Sequence, residues 1–436
     1  MIRLYNTLKN KIEEFVPLNG KTINMYVCGP TVYNDIHIGN ARPLVFYDAL
    51  RRFFEYVGYK VVFVSNITDI DDRIIAKSIE KKISEKELTA YYIKRYTSVY
   101  KKLNSKAPTF APRATEYILE MINYIKNLVD TGYAYITDSG VYFKTSSLEN
   151  YGELSNRKLN NSLESVRIEN SKSKDNAYDF ALWKITGEGI KFNSPFGEGR
   201  PGWHTECVVM IDSIFGKEID IHGGGIDLVF PHHENENAQA CASHKHLSSF
   251  WVHVNALNMG DTKMSKSLGN IIFAKDLIKE YNPLALRMLL LSTNYRTPIS
   301  YSKDLIIQYQ KEIDKIYKTL RNKKLQLKYE NISTKQTLCS ILDSFILELS
   351  NDFNSANAIS IIIETNKNIN KEKDLLKIAS LVNTEIVMLK ILGLYKNIII
   401  NKNIINVYNK YIEARNAQDF EASDVFRNAL GIAGFL

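Results

Sequence analysis

Seven of the chain's eight histidines fall between His204 and His253, and the eighth, His37, sits in an early loop. Two of the four cysteines, Cys28 and Cys207, and the run Pro231-His232-His233-Glu234-Asn235-Glu236 carry donors that suit a soft metal. His232 and Glu236 are four residues apart, a spacing that places both side chains on one face of a helix. Two thiolates, an imidazole and a carboxylate make a mixed shell suited to tetrahedral Zn²⁺. The cysteines are not in a C-x-x-C pair. Spacing alone therefore slightly favours a plainer reading, buried core thiols beside a helix start. The run is also not H-E-x-x-H, which tells against a zinc protease.

Three further segments carry phosphate or sugar chemistry. Gly29 to Asn40 leads from a strand into a helix, and backbone N–H groups at such a start favour an anion, with His37 and Gly39 placed for a phosphate. His222-Gly223-Gly224-Gly225 follows a strand, and its glycines permit close backbone approach to a flat or sugar ligand, or simply a tight turn. Lys263-Met264-Ser265-Lys266-Ser267 offers two point charges and two hydroxyls. For two lysines in a polar loop, an ordinary surface segment is the more frequent explanation.

The elements that must position these residues follow from periodicity. Thr22–Val27 and Lys60–Val64 read as buried strands, separated by a helix whose apolar positions run from Leu44 to Val57. Strand, helix, strand favours a doubly wound parallel sheet, in which ligands sit at the C-terminal strand ends. Residues 113–200 read as an insertion, with a helix over Tyr117–Val129, a hairpin around Asp138-Ser139 and a polar stretch at 150–176. Strands return at Glu218–Ile221 and Trp251–Ala256. After about Asn282 only helices are expected: from Leu305 to Leu320, from Leu338 to Leu349, from Leu375 to Leu392 with Gly393 as cap, and a pair over Asn406–Leu430. Tyr301–Glu330 holds eight Lys+Arg against four Asp+Glu, which by itself describes a solvated helix face better than a polyanion site.

Composition narrows the class. The 436 residues are 45% hydrophobic and 24% charged, with a net charge of +8, which permits a polyanionic partner without requiring one. Four cysteines in so long a chain make no disulfide framework and imply a reducing compartment, the cytoplasm. No uncharged apolar run of about 18 residues exists, so no membrane span is expected.

In order and spacing the motifs resemble class I aminoacyl-tRNA synthetases, and more finely the cysteinyl-tRNA synthetase family. The first nucleotide motif matches His37-Ile-Gly-Asn40 and the second Lys263-Met-Ser-Lys-Ser267, 226 residues later. Met25–Tyr33, Asn66–Asp72, Arg200–Cys207 and His222–Glu236 match that family too. The resemblance replaces both plainer readings above. It implies a Rossmann-like catalytic domain at 1–112 and 201–260, an inserted connective domain at 113–200, a second-motif loop and stem-contact region at 261–300, and a helical bundle at 301–400. It also implies an anticodon-binding end at 401–436 that stops short of the family's usual strand-rich tail.

The resemblance implies one Zn²⁺ on Cys28, Cys207, His232 and Glu236. Cysteine would be bound by Cys28, Thr31, Thr68 and Trp203. ATP, with Mg²⁺, would be bound by His37, Gly39, Asn40, Gly223, Gly224, Gly225, Asp227, Lys263, Met264, Ser265, Lys266 and Ser267. His37, Lys263 and Lys266 are the implied catalytic groups. Implied partners are tRNA(Cys), ATP and L-cysteine, acting on a monomer. Asn40 stands where class I enzymes usually carry a second histidine. Two other functions compete: a ligase that joins activated cysteine to a small amino-sugar, and a non-catalytic tRNA- or zinc-binding protein.

Overall fold

The computed structural model describes residues 1–157, 174–260, 262–263, 271–333 and 336–435. Its centre is a four-stranded, all-parallel sheet in the order Ser248–Val254, Ile219–Gly225, Thr22–Val27, Lys60–Ser65. Val, Ile, Phe and Met fill these strands, as a sheet covered on both faces requires. The helix Ile38–Tyr56 crosses one face and buries Leu44, Val45, Ala49, Leu50, Phe53 and Phe54. Trp203–Phe215 covers the other, burying Val208, Val209 and Met210. Chain order is not strand order, so the carboxyl ends of Thr22–Val27 and Ile219–Gly225 open side by side. Ligands of doubly wound sheets bind at such an end.

The expected insertion is a layer of its own. The helix Ile118–Asp130 packs beside an antiparallel sheet of Ala134–Thr137, Gly140–Phe143, Phe180–Ile185 and Gly199–Pro201. The hairpin turns at Asp138-Ser139 as expected. Most of the polar stretch at 150–176 lies outside the described residues.

Two expectations need correction. Strand structure does not end near Asn282: Ile299–Tyr301 pairs in parallel with Leu257–Met259. Three residues carry too little periodicity to be read from sequence, and this strand exists through its partner. The glycines of His222–Gly225 do not follow a strand or make a turn. They are its last residues, paired with Trp251–Val254.

The C-terminal part is helical. Lys303–Tyr329, Cys339–Ser350, Leu375–Ile391, Lys402–Asn416 and Phe420–Ile432 match the expected set, with the final pair starting earlier than its apolar pattern showed. A further helix, Ser355–Lys371, was not anticipated, although Ile359, Ile362 and Ile369 recur at helical spacing and Asn354 caps its start. Among the described residues no helix is long and apolar enough to cross a membrane.

Candidate functional site: a buried donor cluster beside a capped helix start

Cys28 is the first residue after the strand Thr22–Val27, and its N–H donates to the Gly223 carbonyl at 3.1 Å. The next residue must be glycine. A Cβ on Gly29 would lie 1.7 Å from the Asn66 carbonyl oxygen, while the Gly29 N–H donates to the Asn66 side chain at 2.7 Å. The chain thus turns tightly enough to aim the Cys28 thiol inward. Cys207 arrives from the buried face of Trp203–Phe215. His232 and Glu236 come from the bent start of Glu234–Ala242 and touch, Nε2 to Oε1, at 2.8 Å.

The donors converge. Cys28 Sγ lies 3.4 Å from Cys207 Sγ, 3.6 Å from His232 Nε2 and 3.6 Å from Glu236 Oε1. Cys207 Sγ lies 3.9 Å from His232 Nε2. A tetrahedral shell with Zn–S bonds of about 2.3 Å and Zn–N bonds of about 2.0 Å has donor–donor edges of about 3.3–3.8 Å. Three of these separations fall inside that range, His232–Glu236 at 2.8 Å is shorter and Cys207–His232 at 3.9 Å slightly longer, so the four donors are gathered at about the spacing of such a shell. Its electrostatics point the same way. Burial would push the Cys207 thiol up, but the Cys28 hydrogen bond and the His232 ring bring it down to about 7. Burial would lower His232, but Glu236 outweighs it and raises the ring to about 10. Burial likewise opposes the Glu236 charge, and His232 and His222 hold that carboxyl well below its usual range. Three groups that become anions, the Cys28 and Cys207 thiols and the Glu236 carboxyl, are packed around one point, and burial with the neighbouring Cys207 and Glu236 pushes the Cys28 thiol well up, an arrangement a cation relieves.

A second set of donors, Cys28, His222, His233 and Glu236, shares two members with the first. It holds one thiol instead of two, and its histidines have other partners. His222 Nδ1 faces the Tyr26 carbonyl at 3.1 Å, and its Nε2 contacts Glu236 Oε2 at 2.5 Å. His233 Nδ1 contacts His253 Nε2 at 2.7 Å, and His253 Nδ1 contacts Thr7 Oγ1 at 2.8 Å. These rings brace Cys28 and Glu236 from behind. Sequence reasoning saw the histidine cluster but assigned no role to His222, His233 or His253.

Above the donors, the Trp203 ring stacks on His232 at 4.0 Å between centroids. Thr31 and Thr68 form an isolated parallel bridge, and Thr68 Oγ1 donates to Glu206 Oε2 at 2.7 Å. Arg73 reaches Thr31 Oγ1 at 3.0 Å and lies over the rings of Tyr33 and Trp203. All four expected cysteine contacts thus meet at one mouth. Glu206 and Arg73, unassigned from sequence, fix two of them.

His37 is the N-cap of Ile38–Tyr56, and with Asn40 it forms a reciprocal box. The Asn40 N–H donates to His37 Nδ1 at 3.3 Å, and the His37 N–H to Asn40 Oδ1 at 3.4 Å. An accepting Nδ1 leaves the neutral ring's proton on Nε2. Asn40 closes this box through its amide oxygen, a local reason for asparagine at that position. Asp227 is exposed just past the third glycine. Gly223 is required internally, because a Cβ there would meet Tyr47 Oη at 2.1 Å and the Val252 oxygen at 2.2 Å. The second lysine motif is approached from both ends. Lys263 pairs through its backbone with Asn258, and Phe273 bridges to His37. Met264, Ser265, Lys266 and Ser267 lie outside the described residues.

The architecture is that of class I tRNA synthetases. Methionyl-tRNA synthetase of Mycobacterium tuberculosis with methionyl-adenylate superposes at a TM-score of 0.62 and 13% identity, over 86% of this chain and 90% of that one. The ternary LeuRS–tRNA–LeuAMS complex of Agrobacterium radiobacter K84 superposes at 0.65 and 10% identity, over 88% and 84%. Residues 14–311 match the family "tRNA synthetases class I (C) catalytic domain", and 344–396 match the DALR domain. A cysteine–tRNA ligase of Acholeplasma laidlawii is 47% identical over 437 residues, covering all of both chains. One from Staphylococcus haemolyticus is 45% identical over 381 residues, covering 85% of this chain and 81% of that one. The chain belongs to the cysteine–tRNA ligase family.

Proposed function

We propose that this chain activates L-cysteine with ATP and transfers it to tRNA(Cys), and that the tetrad Cys28, Cys207, His232 and Glu236 holds one Zn²⁺ that selects the amino acid. The observation carrying this reading is the convergence of those four donors beneath Thr31, Thr68 and Trp203. Bound there, the metal supplies a site for a thiolate, which a cysteine side chain becomes readily and a serine side chain does not.

The chain's own residues do the rest. The mouth formed by Thr31, Thr68 and Trp203 orients the amino acid so that its carboxylate faces the α-phosphate of ATP, which arrives with Mg²⁺. The His37 ring and the start of Ile38–Tyr56, with Gly39 and Asn40 in that turn, face the phosphates. Lys263 and Lys266 meet charge that grows on the leaving pyrophosphate, with Met264, Ser265 and Ser267 in the same motif. Gly223, Gly224, Gly225 and Asp227 line the adenosine side. A terminal ribose hydroxyl of the tRNA then attacks the carbonyl of the cysteinyl-adenylate, forming the ester as the mixed anhydride breaks and AMP leaves.

In this reading 1–112 and 201–260 form the catalytic domain, 113–200 the insertion, 261–300 the stem-contact region, and 301–400 with 401–436 the tRNA-facing helices. Free thiols at Cys28, Cys207, Cys241 and Cys339 suit the cytoplasm.

The test is cysteine-dependent ATP–pyrophosphate exchange, followed by charging of tRNA(Cys) against a small amino-sugar. Exchange with tRNA charging supports the reading. Exchange with transfer only to the amine overturns the tRNA half, and absence of exchange overturns the enzyme.

A further inference from the structure

Arg73 sits in the first turn of the helix Asp72–Lys81, whose N-cap is Asp71. Asp71 Oδ1 accepts from the Arg73 backbone N–H at 2.8 Å and from its Nε at 2.7 Å, while Oδ2 accepts from Nη2 at 3.2 Å. The fork is thus held by the cap of its own helix. The guanidinium carbon lies 5.2 Å from the Tyr33 ring centroid and 5.6 Å from that of Trp203, so the cation stands against two rings of the mouth. Nη2 also reaches Thr31 Oγ1, at 3.0 Å. A guanidinium only donates, so the Thr31 hydroxyl accepts in that bond. Its own O–H is left over, and among the described residues nothing accepts from it. A hydroxyl that accepts from a cation is polarised, which makes it a stronger donor and a weaker acceptor.

We propose that Arg73 positions the carboxylate of bound cysteine by making Thr31 a hydrogen-bond donor toward it; the inference rests on the cysteine activation proposed above. A free amino acid offers an ammonium, which only donates, and a carboxylate, which only accepts. Thr31, with a proton to give and a cation behind it, suits the carboxylate. Thr68 has the opposite surroundings. Its hydroxyl donates to Glu206 Oε2 at 2.7 Å and accepts from Asn66 Nδ2 at 3.3 Å, so it has no proton left for a carboxylate. Place in the chain agrees with polarity. Thr31 lies on the segment that runs from Cys28 of the donor tetrad to His37 at the helix start. A thiolate at the tetrad and a carboxylate at Thr31 put the reacting oxygen on the side where the phosphates of ATP are proposed to lie. Arg73 acts through Thr31 and not on the reacting atoms, so its role is positioning.

Cysteamine, which is cysteine without its carboxylate, separates this role from a general shaping of the mouth. Both ligands are titrated calorimetrically into zinc-loaded protein under reducing conditions, using wild type, Arg73→Met, Thr31→Val and the double variant. Each single variant should weaken cysteine about tenfold or more, the usual effect of losing a hydrogen bond to a charged group, and leave cysteamine within about twofold. The double variant should bind cysteine no more weakly than either single variant, because both remove one interaction. In ATP–pyrophosphate exchange the KM for cysteine should rise in step while the KM for ATP stays within about twofold. Equal weakening of the two ligands would mean that Arg73 only shapes the mouth, and additive effects would mean that it acts apart from Thr31. Either result overturns the proposal, as does unchanged cysteine binding. If Arg73→Met does not fold, Arg73→Lys takes its place: it keeps the charge beside Asp71, loses the fork that reaches Thr31, and must show the same contrast between ligands. Cysteine binding with that contrast but without exchange would keep the role of Arg73 and fail the proposed catalysis.

Discussion

His37 serves two ends, and one substitution separates them. Its Nδ1 caps the helix, and in the proposed reaction its ring also meets phosphate. Asparagine is among the best N-caps, so His37→Asn should keep the helix start and lose the donor. We expect thermal stability to hold while ATP–pyrophosphate exchange falls about 10²–10³-fold, the usual effect of deleting one transition-state donor. A fall in both would mean that His37 is chiefly a cap. For the donor tetrad, metal analysis should find about one zinc per chain in the wild type and a large loss in Cys207→Ala. Fully active, zinc-free protein would rule the assignment out. Selectivity follows from the same atoms. A pocket working by shape separates cysteine from serine by only about 1–3 kcal/mol, whereas a thiolate-binding metal separates them by ionisation. Serine should therefore support exchange more than a hundredfold less well than cysteine, and serine within a hundredfold would show that the tetrad is not the discriminator. These donors were legible in the sequence only through the family's motifs, because Cys28 and Cys207 are 179 residues apart and meet only when the sheet forms. His222, His233 and His253 act through hydrogen bonds, which leave no spacing signature.

Elements with a long apolar period were legible, and those made by their partners were not. The helix Ile38–Tyr56 and the hydrophobic strand runs on either side of it, Thr22–Val27 and Lys60–Ser65, follow from local pattern alone. The strand Ile299–Tyr301 is held by pairing, and the helix Ser355–Lys371 hides its period among Asn, Ser and Thr. Those polar residues are not all solvated. Asn366 is buried and its amide donates to Glu385 Oε2 at 3.2 Å, while Glu385 Oε1 has no partner among the described residues. Burial raises the Glu385 carboxyl from 4.5 to about 8. The sign follows from linkage. The folded state prefers the protonated acid, and the unfolded chain ionises first. Stability is therefore fully present below the unfolded value and declines as pH rises, levelling off once the folded group ionises near 8. Within that window the slope is about 1.4 kcal/mol per pH unit. Glu385→Gln retains an acceptor for Asn366 and cannot ionise. Denaturant melts between pH 5 and pH 8 should show the wild type losing a few kcal/mol relative to this variant. Parallel curves would mean that Glu385 is not the group responsible.

At the scale of the whole molecule, one guanidinium joins the catalytic sheet to the bundle. Arg287 is fully buried, and its donors reach Asp48 at 2.5 Å, the Leu103 carbonyl at 3.0 Å, Ser105 Oγ at 3.1 Å and the Leu392 carbonyl at 2.7 Å. Asp48 lies on the helix that His37 caps, and Leu392 closes the bundle helix Leu375–Ile391. Burial opposes the Asp48 charge, but Arg287 and Arg52 outweigh it and hold the carboxyl below its usual range. Such a pair adds little against an apolar replacement of the same shape, yet removing one partner strands the other at about 3–5 kcal/mol. Arg287→Met should therefore destabilise by that amount in denaturant melts. Asp48→Asn in the same chain should recover part of it, since no buried charge then remains unpaired. Additive effects would mean that Arg52 alone suffices for Asp48. The more telling variant is Arg287→Lys, which keeps the charge and loses the planar fork that reaches four partners on three segments. Cysteine activation needs only the sheet, whereas charging needs the sheet and the bundle held in one orientation on one RNA. Arg287→Lys should thus leave ATP–pyrophosphate exchange within a few-fold of wild type and raise KM for tRNA(Cys) by about tenfold. If both rates fall together, Arg287 supports the catalytic domain itself and does not orient the bundle.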